Sequence, residues 1–364
     1  MINTDISKYR LISHRIVRTK FENPQDIAGY FGAMQSQHFE MSQQAIGLRL
    51  SGNNQQVANS INNHEILRTH ILRPTWHLVS SKDIRWMLEL SAPYVKRKVF
   101  SMSRKYGLND KVLSKCYKGI EKALQNSNYL TRSAIMEELV AKGIITNESS
   151  STLVMMNAEL DGIVCNGPML GKQLSYALLD EKVPPAKSVT KDEALAKLAR
   201  RYFISHGPAT IKDFIWWSGL TAADAKIALE ITKNEYDTLE LNGTTFFFKY
   251  TNSIDENISK LPVFLPAFDE FIVSYTDRSA TLTSEIAKQA ITKNAIFKPT
   301  IIADGKVIAI WKANKNKTHI KIEIEYFGKQ KQSLLEQIQK SAEKYAEYMG
   351  IETVVTDNHS LLKN

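Results

Sequence analysis

The segment GAMQSQHFEMSQQAIGLRL, residues 32–50, places two glutamines, Gln35 and Gln37, on either side of one small residue. A carboxamide offers an acceptor oxygen and two donor hydrogens but no useful basicity. Two of them can hold and orient a water, but they cannot take its proton as a carboxylate does. Their spacing limits where they can act together. In a continuing helix, residues i and i+2 point about 200° apart, whereas in an extended segment they share a side. A two-amide site therefore requires the preceding helix to end near Gln35. Taken alone, Gln-x-Gln is more simply a polar helix end.

Other stretches carry groups of interest, each with a plainer reading beside it. RPTWH puts Arg73, Thr75, Trp76 and His77 together. Arg73 suits a phosphate and His77 a reacting nucleotide; alternatively Trp76 is core and His77 pairs with backbone. YVKRKVFSMSRKYG interleaves Lys96, Arg97 and Lys98 with aromatics, a pattern that tracks phosphates or simply faces solvent on a helix. FDEFIVSYTDRSA holds Asp269, Glu270, Asp277 and Arg278. Paired acids suit acid–base catalysis or a magnesium site, but a turn organised by Asp277 and Arg278 is simpler, and Arg278 can still reach a phosphate. Trp216 and Trp217 read as core rather than as base-stacking platforms. His64 and His70 in HEILRTH lack HExxH spacing, so a zinc protease is not supported. There is no P-loop, no GxGxxG fingerprint and no Ser-His-Asp set to assemble.

Composition bounds the class. The 364 residues carry a net charge of +9, with 43% hydrophobic and 23% charged residues, which is ordinary for a globular protein and favours a polyanionic partner. The length predicts roughly two to four domains. No apolar run is long enough for a membrane span, and the N-terminus lacks a secretory block. Cys116 and Cys165 form no CxxC pair, which argues against a disulfide framework or zinc cluster and for a reducing cytoplasm.

The elements that would position these groups repeat. In the segment 190–250, TKDEALAKLARRYFISHG begins at the cap Thr190, PATIKDFIWWSG stops at Gly219, and LTAADAKIALE has Thr221 and Asp224 at capping-box spacing. Asn242-Gly243 then marks a hairpin. Three helices followed by a hairpin is the order of a winged helix. Upstream, LNDKVLSKCYKGIEKALQN, YLTRSAIMEELVAKG (cap Thr131) and SSTLVMMNAELDG precede two strands around Asn166-Gly167-Pro168. The N-terminal region predicts helices near 6–18 and 24–35 (Asn23 cap, Pro24 in the first turn), a strand near 45–50, a helix over QQVANSINNHEI, and a wing from LRTHILRPTWHLV. Pro184-Pro185 marks a linker. The C-terminal part is β-rich, with a hairpin at Asp304-Gly305, an edge or half-buried strand in THIKIEIEYF and a helix ending at Gly350.

LRTHILRPTWHLVSSKDIRWMLEL, AELDGIVCNGPMLGKQLSYALLDEKVP, HGPATIKDFIWWSGLTAADAK, LPAFDEFIVSYTDRSATL and IFKPTIIADGKVIAIW resemble, across nearly the whole chain, bacterial winged helix DNA-binding proteins of the superfamily that includes the AlkZ and YcaQ DNA glycosylases. The resemblance implies tandem winged helices around duplex DNA and a catalytic glutamine–aliphatic–glutamine (or aspartate) signature. That signature aligns with Gln35-Ser36-Gln37. Ser36 departs from the aliphatic middle position, and His38 stands where many relatives carry an acid.

These readings predict an α+β chain of three winged helix units, 1–91 with the Gln-x-Gln motif, 92–186 and 187–254, followed by a β-rich domain with a covering helix, 255–364. The implied activity is that of a monofunctional glycosylase with Gln35 and Gln37 as catalytic residues. Without a general base, worth roughly 10² to 10⁴ in rate, the substrate must supply a good leaving group. Cationic N7- or N3-alkylated purines do so. Arg73, Thr75, Trp76, His77, Lys96, Arg97, Lys98 and Arg278 are the candidate DNA contacts. The expected partner is duplex DNA containing alkylated bases, bound by a monomer without metal or cofactor. The competing reading is a non-catalytic winged helix regulator, a class that usually binds palindromes as dimers.

Overall fold

Local signals decide where most helices begin. The computed structural model describes residues 3–17, 21–145, 150–249, 261–316 and 318–360. Helix α1 (Asn3–Ser13) leads to α2 (Pro24–Phe31), where Asn23 is extended and Pro24 presets the first turn. The second helix stops at Phe31 rather than residue 35, because Gly32 turns the chain with φ 79°. Strand β1 (Met34–Gln35) follows at once.

The strand expected near 45–50 is not formed. Instead α3 (Phe39–Gly47) covers most of it, capped by His38, whose Nδ1 accepts the Met41 N–H. Ser42, Ala45 and Ile46 are buried at helical spacing. Ala45 and Ile46 share a core with Ile27, Phe31, Val57 and Leu78, and that burial overrides the alternating local pattern. Helix α4 (Asn54–Asn62) carries a capping box of Asn53 and Gln56. Strands β2 (Ile66–His70) and β3 (Trp76–Ser80) then form an antiparallel hairpin, and the sheet order is β1-β3-β2.

Helix α5 (Ile84–Lys105) is continuous through residues 91 and 92. It leads to α6 (Asp110–Leu124), β4 (Leu130–Thr131), α7 (Arg132–Ala141), α8 (Ser151–Leu160), β5 (Val164–Leu170) and β6 (Gln173–Leu178), with sheet order β4-β6-β5. Thr131 caps α7 as predicted. Asn166-Gly167-Pro168 is not the hairpin turn. It lies inside β5, where the register shifts between Asn166 and Met169, and Asn166 Oδ1 instead accepts the Arg68 N–H of β2 at 2.7 Å. The chain turns at Gly171, with φ 63°.

After α9 (Leu179–Lys182), residues 184–190, with Pro184-Pro185, form no regular secondary structure before α10 (Lys191–His206). Capping boxes at Thr190 and Thr210 start α10 and α11 (Ile211–Ser218), and Thr221 starts α12 (Ala222–Thr232). Strands β7 (Asp237–Leu241) and β8 (Thr244–Phe248) join through Asn242 and Gly243, both at positive φ, as this turn type requires. The expected boundary at 254/255 lies outside the described residues.

The C-terminal part holds β9 (Val263–Leu265), α13 (Glu270–Val273), α14 (Ser284–Ala290), β10 (Thr300–Ala303), β11 (Lys306–Lys315), β12 (His319–Tyr326), α15 (Gln332–Tyr348) and β13 (Thr353–Ser360), with sheet order β13-β12-β11-β10-β9. Alternation in β12 buries Ile320, Ile322 and Ile324 against Ile338, Ala342 and Ala346 of α15. β12 is half-buried but internal, flanked by β11 and β13.

The chain is thus α+β, and its parts are fused. One core runs from Leu67 and Val79 through Trp86 and Met87 to Cys165, Leu195, Trp217 and Tyr275. A fully buried ion pair clasps the two ends: Arg49 donates to both Asp269 oxygens at 2.8 Å and also to the carbonyls of His14 and Ala45. Cys116 and Cys165 are buried and unpaired, and burial pushes their thiols up to about 11 and about 12. No helix among the described residues is long and apolar enough to cross a membrane.

Candidate active site

Gln35 sits at the end of β1, its Cα opposite that of His77 in β3. Its side chain is 7% exposed, Ser36 is fully buried, and Gln37 is exposed. The two amides meet on one side of the chain. Gln35 Oε1 accepts the Gln37 N–H at 2.7 Å, Gln35 Nε2 donates to Thr75 Oγ1 at 3.4 Å, and Thr75 Oγ1 donates to Gln37 Oε1 at 3.4 Å. The early end of α2 makes this possible, since the extended backbone lets residues i and i+2 share a face. Gln35 is consumed in organising the segment. Gln37 is exposed, and its carboxamide Nε2 makes no hydrogen bond among the described residues.

The two departures in the motif are each accommodated. Ser36 Oγ hydrogen-bonds Ser42 Oγ at 2.8 Å, and Arg68 donates to the Ser36 carbonyl at 3.1 and 2.9 Å and to its hydroxyl at 3.2 Å. The hydroxyl is therefore satisfied where it is buried. His38 serves as the cap of α3, a task that a short acid performs equally well.

A residue that the sequence reading left without a role lies beneath the pair. Glu270 Oε1 accepts the Gln35 N–H at 2.5 Å, and Oε2 accepts Trp217 Nε1–H at 3.2 Å and Ser274 Oγ–H. Burial opposes ionisation of Glu270, but His206, the Ser274 hydroxyl and the Gln35 amide hold its carboxyl at about 2. His206 is itself pushed below its ordinary value by burial. Its Nε2 stands 3.5 Å from Glu270 Oε2, and the carboxylate opposes that shift. Asp269 is committed to Arg49, so the neighbouring acids do not form an acid–base couple.

The hairpin residues flank the glutamines. His77 is fully buried; its Nδ1 lies 3.0 Å from the Thr75 carbonyl and is therefore the protonated nitrogen. Burial, with the Arg73 charge beside it, lowers its pKa to about 3. A neutral ring adds no positive charge beside the amides. Trp76 is held by Arg68, whose guanidinium lies 4.3 Å from the ring centroid, by the His70 ring at 4.3 Å, and by Glu159. It is thus a packed residue. Arg73 Nε and Nη2 are buried without a hydrogen-bond partner among the described residues. Burial lowers its pKa, and the Glu270 carboxylate opposes that shift.

The remaining candidates separate. Burial, with the Arg73 charge adding to it, lowers the pKa values of Lys98 and Arg278. Arg278 Nε donates to the Ile272 carbonyl at 2.8 Å. Arg97 is exposed on α5 and lies near Tyr94, while Lys96 is engaged with Asp161. Trp217 is fully buried, as expected, but Trp216 is 46% exposed, which corrects its assignment to the core.

Comparison with known proteins places this chain among the DNA glycosylases, hydrolases that act on DNA. More specifically, it belongs to the AlkZ-like DNA glycosylase family, whose model matches residues 29–348. The solved structure of Streptomyces sahachiroi DNA glycosylase AlkZ is similar to it with a TM-score of 0.81, covering 98% of each chain at 17% identity, and so shares its fold. A comparison with curated proteins found no match.

Proposed function

We propose that the chain hydrolyses the N-glycosidic bond of cationic N7- or N3-alkylated purines in duplex DNA, with the attacking water arranged by Gln37 and Gln35. The observation that carries this reading is the linked array of Gln35, Thr75 and Gln37, anchored from below on an ionised Glu270. Amides orient a water without deprotonating it. The substrate must therefore leave unaided, and a cationic purine departs as a neutral base with the bonding electron pair. The water oxygen bonds to the anomeric carbon, and the surplus proton passes to solvent. Gln37 Oε1 and the buried carboxylate offer negative potential to the oxocarbenium-like sugar, the kind of preorganised electrostatics that dominates many active sites. Among the described residues, no side chain hydrogen-bonded to either glutamine is an amine, which supports a monofunctional enzyme rather than one forming a Schiff base.

In this reading the helix–helix–helix–hairpin segments are three tandem winged helices, 1–91, 92–186 and 187–254, ahead of the domain 255–364, and one monomer embraces the duplex. Arg73, Lys98 and Arg278 supply charge toward the glutamines, Arg97 extends it along α5 beside Lys96, which meets DNA only if its pair with Asp161 opens, and Thr75, Trp76 and His77 border the reacting nucleotide. The test is incubation with duplex carrying N7-methylguanine, followed by alkaline cleavage at abasic sites. Strand breaks at the lesion in excess of the enzyme-free control are expected. Their absence, together with a dimer on gel filtration, would favour the regulator.

A further inference from the structure

Trp216 is a large aromatic left outside the core of a helix whose next residue, Trp217, is fully buried. Its indole is nevertheless fixed, because Nε1–H donates to the Val273 carbonyl at 3.0 Å. An apolar ring held in one orientation and left 46% exposed loses little conformational entropy when it binds a flat partner.

Its surroundings are cationic. The Arg278 guanidinium lies 5.9 Å from the Trp216 ring centroid. Gly219, three residues on, ends the helix in the left-handed region at φ 70° and presses against Leu72 and Arg73. A Cβ on Gly219 would stand 2.2 Å from the Leu72 carbonyl oxygen and 3.4 Å from Arg73 Cγ. Lys98 Nζ lies 3.5 Å from the Gly219 carbonyl. Arg73, Lys98 and Arg278 thus gather around the end of α11, and Arg73 repels both of the others. The acid that balances Arg73 is Glu270, whose oxygens already accept three other donors. Nε and Nη2 of Arg73 are buried and make no hydrogen bond among the described residues, a costly arrangement that an anion at the remaining Nη1 would offset.

We infer that Trp216, with Arg73, Lys98 and Arg278, forms a subsite for one nucleotide of the bound strand. The indole stacks on a base lifted from the duplex, and the guanidinium and ammonium groups meet the adjoining phosphate. Base–aromatic stacking is tolerant of sequence, so the subsite strengthens binding without selecting a base. The cations suit phosphate through charge and, for the arginines, forked donation. This inference rests on the reading that Gln35 and Gln37 face duplex DNA, because Trp217 and Glu270 connect α11 directly to the Gln35 backbone.

The test uses the full chain and a duplex with a central tetrahydrofuran abasic analogue, so that no excision is needed. Among the five tryptophans, Trp86, Trp217 and Trp311 are buried, leaving Trp216 and the half-buried Trp76 as reporters. Emission of the wild type should be quenched on titration with the duplex. Trp216→Phe should lose most of that quench, and Trp76→Phe measures the share contributed by the second reporter. Trp216→Ala should weaken binding about 5- to 150-fold, with Trp216→Phe between the two; thermal unfolding of each variant identifies any that fails to fold. Wild-type affinity in a folded Trp216→Ala together with an unchanged quench in Trp216→Phe would overturn the subsite. If these variants also excise N7-methylguanine normally, the subsite fails while the glycosylase reading stands. If the wild type excises nothing but the tryptophan effects appear, the subsite stands on DNA binding alone.

Discussion

Gln35 and Gln37 differ in what each substitution removes. Gln37→Ala deletes an exposed carboxamide, so DNA affinity should stay nearly unchanged while single-turnover excision falls by roughly 10 to 10³, comparable with losing an oxyanion-hole donor. Gln35→Ala removes the acceptor of the Gln37 N–H and the link to Thr75. It should slow excision as well, and also lower stability by about 1 kcal/mol for the lost hydrogen bonding. Gln37→Asp tests whether basicity helps at the exposed position. Wild-type excision of N7-methylguanine by the double alanine variant would reduce the pair to a polar strand end. His77 gives a separate signature. Its folded pKa, about 3, lies below the unfolded value of about 6.5, so between these the unfolded chain binds more protons. Its contribution is complete above pH 6.5 and is lost as pH falls toward 3. At pH 5 the loss is about 2 kcal/mol. Urea unfolding at pH 7 and pH 5 should show a smaller drop for His77→Gln than for the wild type; equal drops would contradict the assigned pKa.

At the scale of elements, the one-turn helix α13 does two separate jobs through adjacent acids. Asp269 neutralises Arg49 with neither side chain exposed. Asp269→Ala leaves a buried guanidinium unpaired and should cost about 3–5 kcal/mol, read by denaturant midpoint. Glu270→Gln keeps the volume but offers one acceptor oxygen where two are used. Either Gln35 N–H or the Trp217–Ser274 pair then faces an NH2 group. Excision should fall more than affinity does, since the segment bearing both glutamines is held through this contact; an equal loss of both would indicate general disruption instead. The sequence made the caps legible, because Thr131, Thr190 and Thr221 act on N–H groups three residues away, and it made the Asn242-Gly243 and Asp304-Gly305 turns legible for the same local reason. It also required a helix end near Gln35, which Gly32 supplies. It misread α3, where burial of Ala45 and Ile46 prevails over local alternation, and it misread Asn166, whose side chain serves β2. Glu270 lay beyond reach: its partner is 235 positions away, and nothing in FDEF distinguishes a catalytic acid from one that fastens a distant strand. Trp216 and Trp217 are adjacent and identical in type, so only the packing of α11 could say which one is exposed.

On the scale of the whole molecule, the excess of nine positive charges needs a direction before it means anything. Arg97 and Lys98 are exposed on α5, and Lys98 and Arg278 both lie close enough to Arg73 to feel its charge. Lys96 is different, because it is already paired with Asp161, whose other oxygen accepts the Tyr117 hydroxyl at 2.6 Å. Each phosphate neutralised by such groups contributes about −0.9 to the slope of log affinity against log salt. Neutralising Lys96, Arg97 and Lys98 together to glutamine should therefore make the slope shallower by about 2 rather than the roughly 3 that three free cations would give. The fold should tolerate the change, since an exposed ion pair such as Lys96–Asp161 contributes little to stability. Fluorescence anisotropy with a duplex of fixed length, titrated across a range of salt concentrations, measures the slope directly. A shallower slope with unaltered thermal unfolding would place α5 against the phosphate backbone. A wild-type slope would turn this helix face to solvent, and the net charge would have to meet DNA through the other cations around the end of α11.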